Sequence, residues 1–87
     1  MNSIVFSDNF LSSVKKLDRK IAVKINNSFK LLQSDAFDSR LHAKPLRGML
    51  KGLYSFRVGR DYRVVFRFLD NTTMLLILAE HRSKIYK

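Results

Sequence analysis

Along residues 54–68, apolar and polar side chains alternate. Tyr54, Phe56 and Val58 fall on one side of a pleated chain. After a break at Gly59-Arg60-Asp61, Tyr62, Val64, Phe66 and Phe68 do the same. Ser55, Arg57, Arg63 and Arg67 fall on the other side. A period of two is the signature of a β-strand, whose successive side chains point to opposite faces. The pattern predicts an antiparallel pair of strands that buries an aromatic face and holds arginines on the other. Asp70-Asn71-Thr72 makes the next turn. Thr73–Ala79 is then apolar on both faces, as a central strand should be.

The N-terminal half follows other periods. Ser3–Phe6 reads as a short first strand. Ser7 is suited to cap a helix, with Asp8 in its first turn, and Phe10, Val14 and Leu17 recur at helical spacing. Asp18 caps a second helix. There Ile21, Ile25, Phe29 and Leu32 form one stripe, and Arg19, Lys20, Lys24, Asn27 and Lys30 fill the remaining surface. That helix should end near Gln33–Ser34. Residues 35–52 lack clear periodicity and hold the only proline, Pro45, with Gly48 and Gly52, so they read as a connecting loop. The tail, residues 80–87, is short and polar. The order β-α-α-β-β-β defines an α+β fold in one domain, residues 1–87. A helical hairpin packs on one face of a small, mainly antiparallel sheet. No helix is predicted over the opposite face, where Ser55, Arg57, Arg63 and Arg67 should lie.

Composition narrows the chemistry. With no cysteine among 87 residues, disulfides and thiolate metal sites are excluded. His42 and His81 are too few for a zinc site built by protein alone. No signal peptide and no membrane-length apolar run are visible, so the reading is a soluble cytoplasmic protein with no membrane partner. The net charge of +10 is unevenly spread. Residues 1–39 carry six basic and four acidic side chains, net +2, whereas residues 40–87 carry eleven and three, net +8. Basic charge concentrated in the sheet half favours attraction to RNA, DNA or a very acidic protein.

Three groups of residues are candidates for chemistry. Arg57 and Arg63 flank a tight turn on adjacent strands, so they should be neighbours. Like charges placed opposite each other are destabilising without compensation, which points to an anionic ligand such as phosphate. Taken singly, each arginine also reads as a solvated residue on a half-buried sheet.

The second group is Glu80-His81-Arg82-Ser83-Lys84-Ile85-Tyr86. RNA can be cleaved when its own 2′-hydroxyl attacks the neighbouring phosphate. That reaction needs a base, cations for the developing charge, and an acid for the leaving 5′-oxygen. His81 suits either proton role, and Tyr86 is a weaker acid. The alternative is a polar terminus with Ile85 or Tyr86 tucked against the core. The third group is the loop 41–52. Its Lys44, Arg47 and Lys51 can contact a nucleic-acid backbone, while Leu46, Met49 and Leu50 close the core. Phosphate-binding loops of the Walker type, nucleophile elbows and helical zinc motifs are absent.

The runs Leu46-Arg47-Gly48, Gly52 to Phe66 and His81-Arg82-Ser83-Lys84-Ile85-Tyr86 resemble the RelE/ParE superfamily of toxins from bacterial toxin–antitoxin systems. The resemblance covers nearly the whole chain and favours the RelE-like branch. It implies the fold of RelE-like microbial RNases and a toxin that cuts mRNA in the ribosomal A site, without a cofactor. It also implies a cognate acidic antitoxin that neutralises the toxin, with operator DNA bound only through the antitoxin complex. By position, Arg57 and Arg63 match residues that hold the scissile phosphate, Tyr86 matches a catalytic and base-stacking tyrosine, and Arg82 loosely matches a further catalytic arginine. With His81 these form the expected catalytic set. Lys44, Arg47, Lys51, Ser55, Arg67 and Lys84 form the expected RNA-binding set. Ser55 departs from the pattern, since some RelE members carry a lysine there. Two other readings stand beside the nuclease: a ParE-like inhibitor of DNA gyrase, and a catalytically weakened relative that still binds its antitoxin.

Overall fold

Ser7 both stops a strand and starts a helix, because its hydroxyl accepts a hydrogen bond from the Phe10 N–H (2.9 Å). A computed structural model describes residues 2–85 of the chain. The order is β1 (Ser3–Phe6), α1 (Asp8–Lys15), α2 (Arg19–Ser34), β2 (Lys44–Pro45), β3 (Tyr54–Val58), β4 (Tyr62–Asp70), β5 (Thr73–His81) and α3 (Arg82–Ile85). Asp18 caps α2 by accepting from the Lys20 N–H at 3.2 Å. The strands form one sheet in the order β1-β5-β4-β3-β2. β1 runs parallel to β5, and every other pair is antiparallel. No helix among the described residues is long and apolar enough to cross a membrane.

The expected elements form, with two additions. The stretch 35–52 is more ordered than a loop. It holds single 3-10 turns at Ser39–Leu41 and Gly48–Leu50 as well as β2. Leu41 and Leu46 are buried and anchor it, and the Leu46 N–H donates to Leu53 O at 2.9 Å. The polar tail begins with one helical turn, α3. The Arg82 N–H donates to Asp61 O (2.7 Å) and the Arg82 guanidinium stands 3.6 Å from the Asp61 carboxylate, so α3 is pinned to the β3–β4 turn.

That turn needs Gly59. Its φ of +63° lies in the left-handed region, and the Lys24 side chain reaches to 3.5 Å of where a Cβ would stand.

The core lies between the helices and one face of the sheet. Phe10, Ile25 and Leu32 from the helices meet Phe56, Val64, Phe66, Met74 and Leu76 from the strands, all buried. Aromatic rings tile this face, with Phe66 5.6 Å from Tyr54 and 5.9 Å from Phe56, centroid to centroid.

α1 is fastened to the sheet edge by two serines. β1 pairs with β5 only along Thr73–Leu76. Beyond that point Ser7 Oγ donates to Ile77 O (3.0 Å), and Ser13 Oγ accepts from the Ala79 N–H (2.9 Å). Side chains thereby replace the missing strand partner for backbone groups that burial would otherwise leave unpaired.

The ladder between β4 and β5 slips twice, once beside the turn, where Leu69 of β4 is skipped between Phe68 and Asp70, and once within the strands. Val65 faces Leu78, but Phe66 faces Leu76, so Ile77 is an extra residue. Such a bulge reverses which side chains point to which face. Met74 and Leu76 lie under the helices, and after the bulge it is Ala79, not Leu78, that does so.

Candidate functional site

The sheet face away from the core carries a row of charge. Arg57 of β3 stands directly opposite Arg63 of β4, and Arg63 directly opposite Glu80 of β5. Residues directly opposite on an antiparallel pair share a face, with Cβ atoms about 5 Å apart. The next row is Lys44, Ser55, Val65 and Leu78. Arg67 lies on the same face, four residues from Arg63, which is about 13 Å along the strand. The apolar Val65 separates them.

This face is less open than its sequence pattern implies. Ser55 is 1% exposed and Arg63 only 7%, whereas Arg57 and Arg67 are exposed. The loop 46–53 and α3 wall one side. Leu46, Leu50, Leu53, Val65, Leu78 and Ile85 line a cleft of about 280 Å³ beside the charged row, with Glu80 and Lys84 at its margin. Arg47 and Lys51 are exposed on the same loop.

Arg63 is held in place by the turn it follows. Its Nη1 donates to Tyr62 O (2.9 Å) and Arg60 O (3.3 Å). A guanidinium carries five N–H donors, so two carbonyls leave Nε and Nη2 to meet an anion. Arg57 has no acidic neighbour on the ladder, but Arg63 does. Glu80 thus adds one carboxylate-bearing position to the row beside the two arginines, which the alternation within β3 and β4 does not reveal. The Glu80 carboxylate itself sits 3.8 Å from the Lys84 ammonium, one helical turn away.

The bulge at Ile77 decides where His81 goes. Counting by twos from Leu76 would place His81 with the arginines and Glu80 under the helices. The extra residue exchanges them. His81 faces Tyr62 on the helix side, with ring centroids 5.4 Å apart and edge-on. Its Nδ1 accepts from the Ser83 N–H (3.2 Å) and lies 2.9 Å from Ser83 Oγ. The structure thus brings Lys44, Ser55, Arg57 and Arg63 together, with Lys84 close by through Glu80. It sets His81 on the other side of the sheet and ties Arg82 to Asp61. Tyr86 lies outside the described residues. Glu80 stood in the second candidate group as the alternative to His81 for the base but not in the expected catalytic set, and the register slip that puts it on the arginine face has no mark in the sequence.

Away from this face, the Arg40 guanidinium and backbone N–H hold the Asp38 carboxyl down to about 2. Hydrogen bonds led by the Thr72 N–H lower Asp70 in the β4–β5 turn. Among the described residues no three His, Asp or Glu side chains gather to hold a metal ion.

Two helices against a mixed sheet with a basic outer row is an architecture shared with small bacterial toxins. The RelBE2 toxin–antitoxin complex of Mycobacterium tuberculosis superposes with a TM-score of 0.79 at 29% identity, covering 93% of this chain and 98% of that one. YafQ from Escherichia coli shares the fold over the full length of both chains, with a TM-score of 0.79 at 16% identity. By sequence, the toxin RelK of Mycobacterium tuberculosis is 33% identical over 64 residues, 74% of this chain and 75% of the relative. The toxin YoeB of Synechocystis is 28% identical over 67 residues, 77% and 78% of the two chains. The profile of the YoeB-like toxin of bacterial type II toxin–antitoxin systems matches residues 5–82. The chain belongs to that toxin family.

Proposed function

We propose that this toxin arrests translation by cutting mRNA in the ribosomal A site, with the RNA 2′-hydroxyl as nucleophile. The observation that carries the reading is the placement of Arg57 opposite Arg63 on a stiff ladder. A phosphate set over the pair meets two guanidiniums, one of them fixed by the turn carbonyls. Such preorganised donors favour the extra charge of the phosphorane over that of the ground state. Lys44, across the ladder from Ser55, adds a cation one step along and supports the neighbouring backbone. The cleft beside Val65 and Leu78 offers an apolar wall for a base.

The partner is a cognate antitoxin with an acidic, partly disordered segment that orders over the basic face. Operator DNA is reached through that complex. The solved structures that share this fold include toxin–antitoxin complexes, which supports the pairing.

The test is to map RNA 5′ ends after brief induction, with Arg63→Ala as control. New ends inside translated messages, absent in the variant, are expected. Damaged DNA without new RNA ends would instead identify a gyrase poison and overturn the nuclease reading.

A further inference from the structure

We infer that Glu80 is the general base that takes the proton from the attacking 2′-hydroxyl, an assignment that rests on the nuclease reading above. The β4–β5 register places Glu80 directly opposite Arg63, itself opposite Arg57. The three share one face and one row. With strands about 4.8 Å apart, the row spans about 10 Å. A phosphate over Arg63 therefore has a cation on one flank and a carboxylate on the other.

The alternative base is on the wrong side. His81 packs edge-on against Tyr62, toward α1, and its Nδ1 is engaged by Ser83. Asp61, the other acidic residue near this end of the sheet, is engaged by Arg82 from α3. Glu80 is half-buried and stands where the outer edge of β5 is no longer covered by β1. It is reachable from the cleft of about 280 Å³ that it helps line. The cationic groups around it are Arg63 from β4, Arg57 one strand beyond, Lys84 from α3 and Lys16 at the end of α1, and the acidic Asp61 at this end is paired with Arg82. The Lys84 ammonium, one turn along, stands 3.8 Å from the carboxylate.

The carboxylate of Glu80 accepts the 2′-hydroxyl proton as the 2′-oxygen bonds to phosphorus. The P–O5′ bond breaks, and its electron pair leaves with the 5′-oxygen, which takes a proton from water. The products are a 2′,3′-cyclic phosphate and a 5′-hydroxyl end. Arg57 and Arg63 carry the charge of the phosphorane throughout.

Glu80→Gln tests this with little change of shape. Single-turnover cleavage on programmed ribosomes should slow by about 10²–10⁴. Ribosome binding, antitoxin binding and melting temperature should stay near wild type, and Glu80→Asp should recover part of the rate. The acid-side limb of the pH–rate profile should disappear in Glu80→Gln. Wild-type rates in Glu80→Gln, alongside an inactive Arg63→Ala, would overturn the assignment and leave the nuclease reading standing. A slower Glu80→Gln that keeps the wild-type pH profile would make Glu80 structural and equally overturn it. A wild-type protein that cuts no RNA would remove both.

Discussion

His81 and Tyr62 meet edge to face across the β4–β5 ladder, on the side of the sheet opposite Arg57 and Arg63. The imidazole closes the end of the helix-side layer and binds the first turn of α3 through Ser83. His81→Ala should therefore affect stability more than chemistry. An aromatic pair contributes about 0.5–1.5 kcal/mol beyond its buried area. A lowered melting temperature is expected, with cleavage changed by less than about ten-fold. Loss of cleavage matching that of Arg63→Ala, in a protein that still melts like wild type, would place His81 in the reaction.

Arg63 should not tolerate lysine. Its Nη1 serves two turn carbonyls, which leaves Nε and Nη2 as the donors for an anion. A single ammonium keeps the charge but cannot hold the turn and a phosphate at once. Arg63→Lys is expected to cleave at least about ten-fold more slowly than wild type, and Arg63→Ala about 10²–10³ more slowly. Equal rates for wild type and the lysine variant would show that charge alone suffices.

Ser13 acts from the helix side of the sheet, and its loss should be felt. Its hydroxyl is the acceptor for the N–H of Ala79, a residue 1% exposed. Ser13→Ala leaves that donor buried and unpaired, at a cost of about 1–3 kcal/mol. At this chain length each kcal/mol lowers the melting temperature by about 4–8 °C. Ser13→Thr, which keeps the hydroxyl, should recover part of the loss.

Asp38 makes a specific prediction about acid. Its folded value of about 2 lies below the ordinary 3.8, set first by the side-chain bond from Arg40 and then by the Arg40 N–H. Because the folded value is the lower one, the ionised pair stabilises the fold fully above about pH 4. That contribution fades as pH falls toward about 2. Melting curves of wild type and Asp38→Asn should differ at neutral pH and converge in this acid window. Curves that stay equally separated through it would show that the pair does not couple to folding.

Much of this was legible in the chain. Ser7 and Asp18 cap the helices they were expected to cap, since a short polar side chain before an apolar stripe has few other uses. Alternation in β3 and β4 placed Arg57 and Arg63 side by side, because strand geometry has only one period. What escaped depends on contacts distant in sequence. The bulge at Ile77 exists because β5 must satisfy β4 and α1 together, and no local signal marks it. From that slip follow the exchange of Glu80 and His81 between faces. The burial of Ser55 and Arg63 also escaped the alternation, as did the order of the stretch 35–52, whose lack of periodicity hid that Leu41 and Leu46 would anchor it. Both lie within the same tertiary arrangement, which local propensity does not encode.

The parallel pairing of β1 with β5 has a consequence for biosynthesis. An interior strand, β5, is the last of these five to be translated, and residue 4 finds its neighbour only when residue 74 has emerged. A nascent chain therefore cannot complete the sheet piecewise, because its first strand pairs only with its last. Until then β1 and the apolar faces of α1 and α2 stay uncovered. Synthesis itself delays the moment at which the toxin's basic outer row is assembled.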